Sequence, residues 1–182
     1  MESQNLLPDS TRLICRILKW LAIVIAGVIG VIFVATDAST LIVEAAWNSL
    51  QDNVREAVTY SRGKTWLLHG LASTGYFSLL LIVLGAVRVF AVFQKGAAFS
   101  VPAVRAVRFF GLMIFLFAAI RLVMPTLIVL ALTLDNDDGL RSLTISIDMS
   151  EIILLIIGAA ILVIGQILTQ AVDIARENNQ FI

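Results

Sequence analysis

The chain has one cysteine, one histidine and three prolines, and only 14% of its 182 residues are charged. A lone cysteine, Cys15, permits no internal disulfide and no thiolate metal site. It falls in an apolar stretch, where a thiol packs as a small hydrophobe. His69 has no second imidazole and no carboxylate cluster near it, which argues against zinc. It lies one turn from Ser73, within reach on a helix, but no acid is placed to orient the ring as a hydrolase triad requires. Glycine-rich phosphate loops are absent. The formal net charge is zero, so no basic footprint points to nucleic acid. Neither a cofactor nor an enzymatic activity is expected.

What the chain has in excess is apolar surface. Hydrophobic residues make up 59% and the mean hydropathy is +0.96, well above a soluble domain. A water-soluble core of this size could not bury so much; a lipid bilayer can. Four apolar runs are long enough to span: about 13–35, 66–87, 109–134 and 152–172. Arg12, Arg16 and Lys19 before the first run imitate a signal peptide. With Leu13 and Ile14 included and the basic stems snorkelling, the run reads instead as a span. The expected fold is all-α, a single integral membrane four-helix bundle over 1–182. Ala26, Gly27 and Gly30 on the first span, and Gly158 and Gly165 on the fourth, are thin faces suited to close helix contact.

Between the first two spans, Val43, Trp47, Leu50, Val54 and Ala57 repeat at steps of four and three. Glu44, Asn48, Asp52, Arg55 and Glu56 fall opposite. This spacing predicts an amphipathic helix over about 41–60, ended near Ser61-Arg62-Gly63. It would serve as a lid or docking surface, or lie on the lipid interface or cap the bundle, with Trp47 as anchor. The second outer segment carries Asp-Asn-Asp-Asp before Gly139. It lacks the ligand series of a calcium loop and reads as a solvated acidic stretch. Ser142 to Asp148 alternates polar and apolar, as a short extended segment does. Ser150 is a candidate cap for the fourth helix, and Glu151 suits its first turn.

The short basic stretch from Arg88 to Arg108 sets the orientation. Gly96 permits a turn, and Ser100 with Pro102 starts the third helix. Arg12, Arg16, Lys19, Arg88, Lys95, Arg105, Arg108 and Arg176 share one side; Arg55, Arg62, Lys64 and Arg141 share the other. The positive-inside rule then places both termini in the cytoplasm.

Arg121 is the residue that stands out. It lies 12 positions past Phe109, about 18 Å deep at the helical rise, and an ionisable residue there is a functional candidate by default. With no Asp or Glu inside the four runs, its expected acceptors are Tyr76, Ser73, Gln166 and a carbonyl freed by Pro125. Such a network either joins the second, third and fourth helices or lines a polar site. The hydroxyls of Ser73, Thr74, Tyr76 and Ser78 have the same two readings.

FQKGAAFSVPAVRAVRFFG resembles the K-G-x-x-F-S … L-R loop of the bacterial membrane proteins known as domain of unknown function 2975. QAVDIARENNQFI resembles that family's closing pattern. Gly96, Phe99, Ser100, Glu177 and Asn178 match; Ala175, Asn179, Gln180 and Phe181 depart from it. The resemblance implies a multi-pass protein of the bacterial inner membrane. Family members are thought to be encoded beside a small helix-turn-helix regulator, which implies a regulatory or sensing role. Partners would then be the lipid bilayer and a cytoplasmic regulator protein, contacted through Lys95, Arg105, Arg108 and Glu177. The alternative is a small transporter or channel component with a polar site around Arg121, expected as a homo-oligomer because four helices leave little room for a pore.

Overall fold

The computed structural model describes residues 7–35, 38–59, 61–96, 100–137, 141, 143, 145 and 147–178, the side chains of 38, 39 and 175–178 aside. Phe99, residues 142, 144 and 146 of the alternating segment, the Glu177 side chain and the tail 179–182 lie outside this set. Six helices follow in order: α1 Asp9–Ala35, α2 Ala38–Asn48, α3 Asp52–Glu56, α4 Arg62–Phe93, α5 Val101–Thr133 and α6 Met149–Asn178. No strand occurs among the described residues. Helices α1, α4, α5 and α6 are each long and apolar enough to cross a membrane. The molecule is an all-helical bundle of the membrane class.

Local chemistry sets the boundaries. Ser61 caps α4, its hydroxyl accepting from the Lys64 N–H at 3.2 Å. The Ser61-Arg62-Gly63 run therefore opens a helix rather than closing one. Gly96 turns the chain at φ +85°, a backbone region open to glycine. Ser100 then caps α5 by accepting from the Ala103 N–H at 3.3 Å, with Pro102 in the first turn. At α6 the cap is Asp148, not Ser150: its Oδ1 accepts from the Ser150 N–H at 2.9 Å. Asp148 precedes the first helical residue, where a side-chain oxygen reaches the N2 donor, whereas Ser150 is already inside the helix.

The long helices lie side by side in the order α1, α4, α5, α6, each antiparallel to its neighbour and packed mainly on it. Contact between α5 and α6 is close because glycines face it. A Cβ on Gly158 would lie 2.7 Å from the Phe115 nitrogen, and one on Gly111 2.8 Å from Ile161 Cγ2. In lipid, where apolar burial drives little, such van der Waals contact is what joins helices. Gly27 and Gly30 of α1 have nothing within 4 Å, so the thin patch on the first helix is not used within the chain. At the basic end the Leu7 N–H donates to the Gly96 carbonyl, and a Cβ on Gly96 would run into the Arg12 guanidinium.

The four helices are not level at their other end. Phe33, in the last turn of α1, packs tilted against Tyr76 with ring centroids 5.2 Å apart. Glu151, in the first turn of α6, meets Arg121. So α1 ends and α6 begins opposite the middle of α4 and α5. The last 12 residues of α5 extend about 18 Å beyond that level, with the first turns of α4 beside them. Here α2 and α3 pack. Leu50, Val54, Leu68, Ile128, Val129 and Leu132 form the buried core, flanked by Val43 and Trp47. The amphipathic segment thus caps the bundle.

That segment is two helices rather than one. Ser49 Oγ donates to the Ala46 carbonyl at 2.6 Å, and Arg55 Nη2 donates to the Leu50 carbonyl at 3.0 Å. These bonds satisfy the carbonyls where the helix breaks, and both Leu50 and Val54 reach the core. Nearby, buried Lys64 donates to the Thr59 carbonyl at 3.0 Å and stands 3.6 Å from Asp135. Asn136 Nδ2 donates to the Val54 carbonyl. The cap is thereby tied to both tall helices.

Gly158→Leu should separate α5 from α6 and cost about 1–3 kcal/mol, read from detergent-titrated unfolding in mixed micelles. The same change at Gly27 should cost nothing measurable; equal losses at both positions would show that the α5–α6 contact is not the tight one.

Candidate functional site

The step between the staggered helices leaves a cavity of about 560 Å³ between α2, α4, α5 and α6. Its wall is mostly apolar: Ile42, Leu79, Phe117, Met124, Ile128 and Val129 line it. The polar groups converge on one side, where Tyr76, Arg121, Asp148 and Glu151 line it together. A pocket of this size with few convergent polar groups has the character of a small-ligand site.

An ion pair anchors the polar side. Arg121 Nε and Nη2 both donate to Glu151 Oε1, at 2.9 and 2.7 Å. Glu151 Oε2 accepts from the Ser150 hydroxyl at 2.9 Å. The Glu151 side chain is 5% exposed while that of Arg121 is 53% exposed. The carboxylate is therefore enclosed and saturated, and the guanidinium has an open flank. Its Nη1 has no hydrogen-bond partner among the described residues, and the Phe117 ring stands 6.0 Å from Cζ. Asp148 lines the same side of the cavity and is exposed. Its carboxyl is held below the ordinary range, first by the Ser150 N–H and then by the Ser150 hydroxyl. Pro125, on the same wall, has no N–H to give the Arg121 carbonyl one turn back.

Of the residues expected around Arg121, the structure gathers Tyr76 and Pro125 at the cavity. Ser73 does not reach it: its hydroxyl donates to the His69 carbonyl of its own helix at 2.6 Å. Thr74 and Ser78 likewise bond to Gly70 and Gly75. Gln166 is 15 residues along α6 from Glu151, about 22 Å away at the helical rise, and is exposed. The expected neutral acceptors are thus replaced by a carboxylate. Glu151 falls one residue outside the apolar run drawn from 152, and a depth counted only from Phe109 hides that α6 begins opposite Arg121. The signal was present in Glu151 itself, the first acid after the third apolar run to sit directly against the fourth.

At the opposite end, Lys95, Arg105 and Arg108 are exposed. The Arg108 stem lies across Gly165, whose Cβ would fall 2.5 Å from Arg108 Cγ. Arg88 stacks on Phe109 at 4.9 Å. His69 lines a smaller cavity with Glu44 and Trp47 under α2. Among the described residues no group of three His, Cys, Asp or Glu is placed to hold a metal ion.

A membrane-embedded helical bundle with a capped cavity at one end is the class that fold and site define. A family model described as protein of unknown function, DUF2975, matches residues 53–182. The chain belongs to that family, and the match takes in α4, α5, α6, the ion pair and the basic turn. Among curated proteins and solved structures alike, nothing matches.

The pair should show energetic coupling. Arg121→Leu alone strands an enclosed carboxylate and should destabilise more than Arg121→Leu combined with Glu151→Leu. The coupling energy should fall within about 0.5–3 kcal/mol, toward the low end because water reaches the guanidinium. Strictly additive losses in the double-mutant cycle would mean that the two groups do not support each other.

Proposed function

We propose that this is a non-enzymatic regulatory membrane protein that senses at the capped end and is read at the basic end. The observation that carries the reading is the Arg121–Glu151 pair: it joins α5 to α6 beside a cavity, so a ligand that reaches it acts on the relation between two helices. Both helices run on to the basic end. Arg105 and Arg108 lie on α5 there, and the tail follows α6. Lys95, Arg105, Arg108 and Glu177 are the surface offered to a cytoplasmic protein partner. The charge asymmetry supports a bacterial inner-membrane location with both termini in the cytoplasm, which puts the cavity on the far side.

The transport reading is the weaker of the two. Between the ion pair and the basic end, α5 from Leu122 back to Phe109 holds no charge but Arg121, and α6 from Ile152 to Gly165 holds none. The glycine contacts close the space between them.

The reading can be tested in a Cys15→Ser background carrying Lys95→Cys. An impermeant thiol reagent should leave this cysteine unmodified in intact cells and modify it in inverted vesicles. Adding Glu151→Gln in reconstituted protein should change its modification rate several-fold. A rate indifferent to Glu151→Gln would sink the sensing reading, and labelling from outside the cell would reverse the orientation.

A further inference from the structure

We infer that the cavity between α2, α4, α5 and α6 binds an organic cation with an apolar body, such as a substituted ammonium. The inference rests on the sensing reading for what binding is for, not for whether binding occurs.

The charges decide the sign. The cavity is lined by one positive group, Arg121, and two negative ones, Glu151 and Asp148. Arg121 and Glu151 neutralise each other at 2.7 Å, so one negative charge remains, at Asp148. A helix N-terminus ordinarily attracts anions, but here the protein's own carboxylates already occupy that place. Asp148 takes the Ser150 N–H and its backbone carbonyl takes the Glu151 N–H. An incoming anion would meet two fixed carboxylates and could gain only the open flank of Arg121.

A cation meets acceptors. Asp148 is ionised on the cavity wall, and the Arg121 carbonyl lacks the donor that Pro125 cannot supply. The aromatic rings of Tyr76 and Phe117 are on the wall, and ring faces attract ammonium groups. The remaining wall is aliphatic. A bare inorganic ion would leave that surface wet, whereas a hydrocarbon or phenyl body fills it. Asp52 and Asp135 are paired with Arg55 and Lys64, but the segments 36–65 and 135–151 still hold nine Asp and Glu against four Lys and Arg, and that excess raises the local concentration of cations.

The test uses the full chain in nanodiscs of zwitterionic lipid, with three probes that share a phenyl body: benzyltrimethylammonium, phenylacetate and benzyl alcohol. Calorimetry against empty nanodiscs removes partitioning into lipid. Saturable binding of the ammonium should be at least about tenfold tighter than that of the other two. Asp148→Asn should weaken it by about tenfold; Asn caps a helix as well as Asp does, so the variant keeps its fold. Ala45→Phe, which fills the cavity from exposed α2, should abolish it. The inference fails if phenylacetate binds as tightly, which would assign an anion to Arg121. It fails equally if benzyl alcohol binds as tightly, if no probe saturates, or if Asp148→Asn leaves affinity unchanged. None of these outcomes bears on the Lys95→Cys experiment, which contains no ligand.

Discussion

The Arg121–Glu151 pair is the constraint on which the upper half of the structure depends. An enclosed carboxylate with no cation is costly, so α6 cannot slide along α5 without breaking two hydrogen bonds at 2.7 and 2.9 Å. The glycines below set how closely the two helices approach, and Gly158 and Gly111 are the notches that admit Phe115 and Ile161. The pair holds that same register at the start of α6. It also fixes where α6 starts, and therefore the height of the step above it.

The step in turn explains the cap. Were all four helices level, the ends of α4 and α5 would be covered by their neighbours. With α1 and α6 set lower along the bundle, the apolar sides of α4 and α5 are left bare above the level of Arg121. The linker from α1 is obliged to cover them, and its leucine, valine and tryptophan pattern does so. The break at Ser49 allows α2 and α3 to follow the pair of tall helices around. Where α2 turns away from the ion pair the cover is incomplete, and the cavity is the remainder. Axial offset of the helices, charge pairing and cavity are thus one feature seen at three scales.

This also shows which parts were legible from residues alone. Spans, the cap at Ser100 and the turn at Gly96 follow from local chemistry, which is written in adjacent letters; Ser61, read as the close of one helix, instead caps the next. The role of α2 as a cap was one of two readings, because periodicity reveals an apolar face without saying whether protein or lipid meets it. Arg121 could be singled out, since one charge in a long apolar run is conspicuous. Its partner could not be chosen, since the choice depends on the relative heights of helices 30 residues apart. Gln166 was reasonable by composition and wrong by level; Ser73 lies at the right height, between Ala72 and Gly75 of the cavity wall, but does not line it. A helix-borne hydroxyl also has a carbonyl of its own one turn back, and Ser73 takes it.

The half-open state of Arg121 has a further consequence. A pair enclosed on both sides would be a rigid joint, costly to break and indifferent to anything in the cavity. A pair open on both sides would be screened by water to little value. Here the carboxylate is enclosed and the guanidinium is not, so the joint is firm at α6 and accessible from α5. Any occupant of the cavity that changes the hydration of the guanidinium changes the strength of the joint without having to displace Glu151. Under the proposed sensing function, that asymmetry would let a small ligand act on two long helices through groups it need only approach. On the same reading a neutral hydrogen-bonded network would serve less well: it would hold the helices, but its strength would depend far less on what stood beside it.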